Sequence, residues 1–255
     1  MLSEKEETKY IMETYKIVAN EEELNRFIEF LPDLTSDEKF YVTLFARKKY
    51  TTDPRFKNDK TQLKRLTVNK EDLVKELMKL EVANGLYQFN GIPIPQEMLA
   101  VYINPNPRSM TKASLEMLSR IADKLKRGDY LGNPKSEAMN CIQVTPSRKV
   151  FFDIDIDVKP GETLSPHSLV SWITTNDIID LYCLNLIHTR GGYHILVNTD
   201  LIDPKYKKSW YQGFTKKYEG MKFDVMMNSD NLIPIPGCVQ GDKIPRFVNL
   251  HNPNF

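Results

Sequence analysis

The segment Val150-Phe151-Phe152-Asp153-Ile154-Asp155-Ile156-Asp157 decides the fold of this chain. Side chains of a β-strand alternate between two faces, so the segment predicts a strand with three aspartates on one face. The apolar side chains at positions 150, 152, 154 and 156 are then expected to enter the core. Carboxylates that share a face repel one another, and Mg²⁺ or Mn²⁺ neutralises such a group well. A strand whose second face is simply solvated remains the alternative for an isolated Asp-x-Asp pattern.

Two later segments also carry residues that can bind phosphate or a metal ion. The first, Thr189-Arg190-Gly191-Gly192-Tyr193-His194, lies between two apolar runs and predicts a hairpin-like turn whose glycines let the backbone approach a ligand closely. Its arginine and histidine can donate hydrogen bonds to phosphate oxygens, although a histidine in a strand is also a common structural residue. The second segment, Phe223-Asp224-Val225, predicts a further carboxylate from a neighbouring strand, with a surface acid as the alternative.

Patterns along the rest of the chain predict a mixture of helices and strands, with a mainly antiparallel sheet in the second half. We therefore expect an α+β protein with an N-terminal lobe at residues 1–135 and a catalytic lobe at residues 136–255, packed as one unit. The expected helices are 21–31, 70–80, 111–126, a short helix from 165, and 204–218. The expected strands are 40–46, 88–94, 98–103, 149–158, 184–188, 193–198, 223–227 and 246–250.

Composition places the chain among ordinary globular proteins. Of its 255 residues, 41% are hydrophobic and 27% are charged, which is enough apolar material for one large domain or two packed lobes. No apolar run approaches the roughly 20 residues of a membrane helix, and the acidic start has no signal-peptide core, so a cytoplasmic location is expected. The cysteines are far apart and do not form a Cys-x-x-Cys pair, which favours free thiols. They are Cys141, Cys183 and Cys238.

Charge is unevenly distributed, although the net charge is only +1. Residues 46–70 contain nine basic residues and two acidic ones, which indicates a phosphate-facing surface or a solvated lysine-rich loop. Tyr50 and Tyr102 are candidate stacking surfaces for bases. A second basic group lies at Lys205, Lys207, Lys208, Lys216 and Lys217, and it serves either the nucleic-acid backbone or only solubility.

The three motifs together resemble the archaeo-eukaryotic primase superfamily, whose fold is shared by primase small subunits, primase-polymerases and the polymerase domains of bacterial end-joining ligases. The matched pattern is three apolar residues before Asp-x-Asp, then a hydroxyl residue, a basic-glycine turn and a histidine, then an apolar-Asp pair before Pro236-Gly237. The order and spacing agree over residues 149–248. The chain departs from the pattern at Pro234, where a basic residue is frequent, and at Cys238, where serine is frequent.

The resemblance implies a DNA primase or primase-polymerase, with an N-terminal αβ lobe packed on a catalytic sheet similar to an RNA-recognition motif. Such an enzyme of DNA replication joins nucleoside triphosphates on single-stranded DNA, using two Mg²⁺ or Mn²⁺ ions, and releases pyrophosphate. It implies metal ligation by Asp153, Asp155 and Asp224, with Asp157 as an alternative because Asp155 and Asp157 form a second Asp-x-Asp. The implied role of His194 is catalytic.

Two further sets of residues follow from the resemblance and from the charge distribution. The expected nucleotide-binding residues are Thr189, Arg190, Gly192, His194, Lys243 and Arg246. The expected DNA-binding residues are Arg47, Lys48, Lys49, Arg65 and Arg108, the last of which lies in the loop 104–108.

The origin and partners are also expectations. A phage or mobile element is the expected source, in which case the protein works in the host cytoplasm. A replicative helicase or another replication protein is the expected partner, because the sequence shows no zinc-binding module of the kind primases use in initiation. Three alternatives stay open: a primer-dependent gap-filling repair polymerase, a metal-dependent phosphodiesterase, and a non-catalytic nucleic-acid-binding accessory protein.

Overall fold

The computed structural model describes residues 13–129, 132–159, 161–174, 179–211, 223–248 and 250. The helices within these residues are α1 (Glu21–Phe30), α2 (Leu73–Met78), α3 (Met110–Lys126), α4 (Pro134–Val144) and α5 (Pro166–Thr174). The strands are β1 (Glu38–Arg47), β2 (Lys60–Val68), β3 (Gln88–Phe89), β4 (Ile92–Pro93), β5 (Leu99–Ile103), β6 (Arg108–Ser109), β7 (Phe151–Val158), β8 (Leu184–His188), β9 (Gly192–Asn198), β10 (Phe223–Asn228), β11 (Ile233–Pro234) and β12 (Arg246–Val248).

Two antiparallel sheets organise the protein. The first has the order β11-β5-β1-β2, with β6 paired to the start of β1, and the second has the order β10-β7-β9-β8-β12. Every strand pair in both sheets is antiparallel. The α+β prediction with antiparallel sheets is therefore confirmed, whereas the assignment to the primase fold stays a prediction.

The two sheets share one hydrophobic core. The main cluster combines β1, β5, α1 and α2 with Phe151, Ile187 and Leu196 of the second sheet. A second cluster covers the opposite face of that sheet and contains Ile154 and Ile156. The face of the second sheet that carries the aspartates is thus apolar at one end, where it packs on the first sheet, and polar at the other.

The chain crosses the expected lobe boundary more than once. After β10 it returns to the first sheet, where Ile233 pairs with Ile103 of β5. Bridges from Cys238 to Val18 and from Gln240 to Ala100 extend this connection. Residues 233 and 234 therefore belong to the first sheet, and Gln240 bridges to it, although they follow residue 136 in sequence.

Four elements occur where the sequence patterns predicted none: β2, β6, α4 and β11. Strand β2 lies inside the basic stretch, where lysine and arginine lower β propensity, yet pairing with β1 along its whole length stabilises it as an edge strand. Helix α4 begins at Pro134 after Asn133, whose side chain accepts a hydrogen bond from the Ser136 N–H.

Two predicted helices differ from the structure. Helix α2 is shorter than the predicted 70–80, because Asn69 and Asp72 form a turn before it in place of a side-chain cap at Asn69. The described part of the predicted helix 204–218 consists of turns, in which the Tyr206 carbonyl accepts from the N–H groups of Ser209 and Trp210. Residues 212–218 lie outside the described residues.

Burial on α3 and at the start of β7 also differs from the prediction. The leucine stripe of α3 at Leu115, Leu118 and Leu125 has the spacing of a core face but is exposed, and Leu118 retains 64% of its accessible surface. Helix α3 instead turns Ala113 inward and contacts α4 through ion pairs of Arg120 and Lys124 with Glu137. Val150 precedes β7 and packs in the main cluster, whereas it was expected beside Ile154 on the other face.

Candidate active site

Strand β7 carries the three aspartates through the middle of the second sheet. Its neighbour β9 places His194 directly opposite Asp155 and Gly192 opposite Asp157. Residues opposite each other in an antiparallel pair project to the same face, so His194 and the aspartates share one face. Ile154 and Ile156 are fully buried on the other face, which confirms the predicted alternation within β7.

The imidazole of His194 lies between two carboxylates. Its Nδ1 is 2.9 Å from Asp153 Oδ1 and hydrogen-bonds it, while its Nε2 is 3.6 Å from Asp155 Oδ1. Burial alone would lower the pKa of His194, but the charge of Asp153 and the hydrogen bond to it outweigh burial and raise the pKa. Asp153 is 2% exposed and also accepts a hydrogen bond of 3.1 Å from Asn231 Nδ2.

Asp155 is the more accessible member of this pair. Burial raises the pKa of its carboxyl group, His194 lowers it, and the negative charges of Asp153 and Asp157 raise it further. A raised pKa means that the protein interior disfavours another negative charge here. A bound cation would remove this penalty, so the site is electrostatically suited to one.

Asp224 is on the same face but at its outer end. It lies opposite Asp157, its side chain is 75% exposed, and its Oδ1 is 3.6 Å from Lys159 Nζ. Within the described residues, no group of three or more Asp, Glu, His or Cys side chains is placed to hold a metal ion. The structure brings together Asp153, Asp155 and His194 of the expected catalytic set, and it does not bring Asp224 to them.

The donor set nevertheless fits Mg²⁺ or Mn²⁺. Mg²⁺ is usually bound through one or two carboxylates together with water and substrate phosphate oxygens, without a complete protein cage. Each carboxylate oxygen has two lone-pair positions, and the hydrogen bonds to His194 and Asn231 leave part of Asp153 unoccupied. Asp153 and Asp155 can therefore supply the protein's share of such a site.

The β8–β9 turn borders a cavity of about 470 Å³. Thr189, Arg190 and Gly192 line it, together with Lys159 and His188 from either side of the turn. Three of the expected nucleotide-binding residues thus surround one cavity. Its volume is enough for phosphate groups, and its border combines the cationic and hydroxyl side chains with the carboxylate of Glu162.

Lys243 and Arg246 add positive charge at the same edge. Arg246 lies opposite His188 in the β12–β8 pair. Burial lowers the pKa of His188, and the charges of Arg246 and Lys243 lower it further, because a second cation is disfavoured beside them. Both cations therefore act on His188, while Arg190 at the same turn is paired with Asp242.

Arg190 is held in a defined place beside that cavity. Its backbone N–H donates to Gln240 Oε1 at 2.8 Å, and its guanidinium is 2.9 Å from Asp242 Oδ1. The same guanidinium lies 4.6 Å from the ring centroid of Tyr50. Gly241 makes this stacking possible, since a Cβ there would lie 2.7 Å from Arg190 Nη1.

A basic and aromatic face of the first sheet approaches the carboxylates. Arg47 Nη1 donates to the Tyr102 hydroxyl at 3.0 Å, and the Lys60 ammonium lies 4.1 Å from the ring centroid of Phe45. Lys49 is exposed and close enough to Asp155 for its charge to lower the pKa of that carboxyl group. Lys49 thus brings one charge of the basic stretch near the acidic strand.

Several expected DNA contacts have structural partners instead. Lys48 Nζ donates to two carbonyl oxygens of its own loop, and Arg65 donates to Ser136 Oγ and Asn140 Oδ1 on α4. The prediction that Arg108 binds DNA is wrong, because its side chain is 0% exposed and forms an ion pair with Asp230. A side chain without exposed surface cannot contact DNA at the surface.

Two further observations concern the tyrosines predicted to stack on bases and the last sequence motif. Tyr50 and Tyr102 are both buried beneath cationic side chains, so neither ring is open for a base in this arrangement. Pro234 pairs with Tyr102 in the first sheet, and Cys238 is fully buried, where burial raises the pKa of its thiol. The segment that carries both departures from the resembled pattern is therefore part of the core.

Three residues at the site were missed by the sequence patterns. Asn231, Asn106 and Gln240 each use a side-chain amide to hold a backbone segment or a carboxylate at the site. Asparagines in the loop 104–108 and in the turn after β10 were the available signal. Their partners are 44 or more positions away in sequence, which no local pattern reveals.

None of the described helices is long and apolar enough to cross a membrane. Comparison of the chain with protein-family models, with curated proteins and with solved structures found no match.

Proposed function

We propose that this protein is a metal-dependent nucleotidyltransferase that joins nucleotides on a single-stranded DNA template, as a primase or primase-polymerase does. The observation that carries the proposal is the β7–β9 pairing, which sets His194 between Asp153 and Asp155. Phosphoryl transfer requires divalent cations and cationic groups around the phosphates. The carboxylate pair lies on β7, and the basic turn 189–192 leads into β9, the strand that pairs with β7.

Asp153 and Asp155 would hold the divalent cations, whose chemistry is to lower the pKa of the attacking hydroxyl and to neutralise charge on the phosphates. His194 holds Asp153 in place and has its Nε2 directed toward Asp155. A protonated His194 beside a phosphate would stabilise the negative charge that develops during the transfer.

Thr189, Arg190 and the backbone around Gly192 would bind the triphosphate in the cavity at the β8–β9 turn. Arg190 is positioned for this by Tyr50 and Asp242, so its guanidinium loses little freedom on binding. Lys243 and Arg246 would contribute attraction over a longer range because they lie at the same edge.

Template binding is assigned to the basic face of the first sheet. Lys49 and Lys60 are exposed on this face, whereas Arg47 is largely buried and pairs with Asp59, and an extended strand of DNA along the face would bring its end toward Asp155. Lys49 is the best candidate for a direct phosphate contact, since it is exposed and is not hydrogen-bonded to its own loop as Lys48 is.

Incubation of the protein with single-stranded DNA, labelled nucleotides and Mg²⁺ or Mn²⁺, with and without a primer, tests the proposal. Primer-free products support a primase, and extension only from a primer supports the gap-filling polymerase. Degradation of the DNA would indicate a phosphodiesterase. DNA binding without any synthesis would indicate a non-catalytic accessory protein, and both of these outcomes would overturn the proposal.

A further inference from the structure

The guanidinium of Arg108 is one of the most completely buried polar groups in the described part of the chain. It forms a two-pronged ion pair with Asp230, in which Nη1 donates to Oδ2 at 2.7 Å and Nη2 donates to Oδ1. Its Nε also donates to the Asn106 carbonyl at 3.2 Å, and Nη1 donates to the Gln143 carbonyl at 2.9 Å. A planar guanidinium used in this way fixes the orientation of its partner carboxylate.

Asp230 is adjacent in the chain to the residue that touches Asp153. Asn231 Nδ2 donates to Asp153 Oδ2 at 3.1 Å. The orientation of that amide is itself fixed, because Asn231 Oδ1 accepts from the Leu232 N–H at 2.9 Å and the Asn231 carbonyl accepts from Asn104 Nδ2 at 2.9 Å. The turn after β10 is thus held at Asp230 and aimed at Asp153.

The loop 104–108 also holds the strand that carries Asp153. Asn106 Oδ1 accepts from the N–H groups of Val150 and Phe151, both at 2.8 Å, and Asn106 Nδ2 donates to the Phe151 carbonyl at 2.9 Å. One loop therefore fixes both the start of β7 and the turn that contacts Asp153.

We propose that Arg108 is a positioning residue, which acts through Asp230 and Asn231 to set the orientation of the Asp153 carboxylate. The inference rests on the proposed function, because it concerns the same metal-binding carboxylates. His194 Nδ1 lies 2.9 Å from Asp153 Oδ1 and 3.2 Å from Oδ2, and Asn231 donates to Oδ2, so the two side chains together restrict the rotation of this carboxylate. Groups that orient a metal ligand typically change metal affinity or activity by roughly 10–100-fold when they are removed.

The test compares Arg108→Lys, Asn231→Leu and the double variant with the wild type. Lysine keeps the positive charge but cannot make the two-pronged contact, and leucine has nearly the shape of asparagine without its donor. Arg120→Lys is the matched control, because Arg120 also pairs with two carboxylates but lies on α3 away from the site. The readouts are Mn²⁺ affinity of the protein alone by electron paramagnetic resonance, kcat and KM of nucleotide incorporation, and the urea unfolding midpoint.

We expect both single variants to lose Mn²⁺ affinity and kcat by roughly 10–100-fold while the KM for nucleotide stays near that of the wild type. We expect the double variant to be no worse than Asn231→Leu, because the two residues act in series. Arg120→Lys should match the wild type in Mn²⁺ affinity and kcat. If Arg108→Lys does not fold, Asp230→Asn replaces it, since it removes the ion pair with little change in shape.

Two results would overturn the inference. Wild-type Mn²⁺ affinity in a folded Arg108→Lys or Asp230→Asn variant would show that Arg108 only joins structural elements. Additive losses in the double variant would show that Arg108 and Asn231 act independently. A wild-type protein that binds Mn²⁺ but joins no nucleotides would overturn the proposed function alone, because the Mn²⁺ comparison would still measure the positioning effect.

Discussion

Gly192 is the residue at which the turn of the candidate site depends most on having no side chain. Its φ is +156°, and a Cβ atom there would lie 1.9 Å from the carbonyl oxygen of Ile156 on β7. The change Gly192→Ala must therefore either push β9 away from β7 or distort the turn. Strands β7 and β9 carry Asp155 and His194 opposite each other, so either response would move these two side chains apart.

The expected destabilisation has two parts. A side chain at a positive φ of this kind costs about 1–3 kcal/mol. Forcing a methyl group into an already packed position costs about 1–3 kcal/mol more. Gly91 provides the matched control, because its φ is +79° but a Cβ there would meet nothing within 4 Å. Gly91→Ala should therefore show only the first cost.

Urea unfolding of the wild type, Gly192→Ala and Gly91→Ala measures the difference. We expect Gly192→Ala to be less stable than Gly91→Ala by about 1–3 kcal/mol, and to lose Mn²⁺ affinity that Gly91→Ala retains. Equal unfolding free energies for the two variants would refute the close approach of β9 to β7 at this turn.

Three further predictions concern other parts of the molecule. Burial alone would raise the pKa of Glu38, but the Thr35 N–H, Ser147 and Arg148 together lower this pKa below its ordinary 4.5. The ionised Glu38 therefore stabilises the fold above pH 4.5, and this stabilisation is lost as the pH falls through the lowered pKa. Urea midpoints measured against pH should thus fall less steeply in acid for Glu38→Gln. Lys49→Gln should reduce the slope of log affinity for single-stranded DNA against log salt by about 0.7 if it contacts one phosphate; an unchanged slope would remove it from the interface. Leu118→Ser should change the unfolding free energy by less than about 0.5 kcal/mol, because this leucine is exposed.

The sequence patterns predicted the second sheet well because its signals are local. The alternation in β7 and the glycine turn between β8 and β9 are written in consecutive residues, and both occur at nearly the expected positions. The close approach of His194 to the carboxylates followed from the resemblance and not from any spacing, since the two segments are 41 positions apart.

Tertiary partners explain the parts that were not predicted. Arginine usually lies at the surface, but the ion pair with Asp230, 122 positions away, allows the charge of Arg108 to be buried. The leucine stripe of α3 has the period of a core face, yet it is exposed, and α3 instead buries Ala113 and pairs with Glu137 of α4. Neither outcome can be obtained from periodicity, because both depend on the residues that face each element.

Single-turnover nucleotide incorporation by Asp155→Asn tests the central claim most directly. Asparagine keeps the shape of Asp155 but removes its charge, and because burial and the neighbouring carboxylates raise the pKa of Asp155, removal of this charge does not destabilise the fold. We expect the variant to fold like the wild type and to lose Mn²⁺ affinity. We also expect it to join nucleotides at least 100-fold more slowly, because loss of one charge-stabilising group typically lowers kcat by about 10²–10³-fold. Incorporation at the wild-type rate by a folded Asp155→Asn protein would contradict the assignment of this carboxylate pair as the catalytic centre.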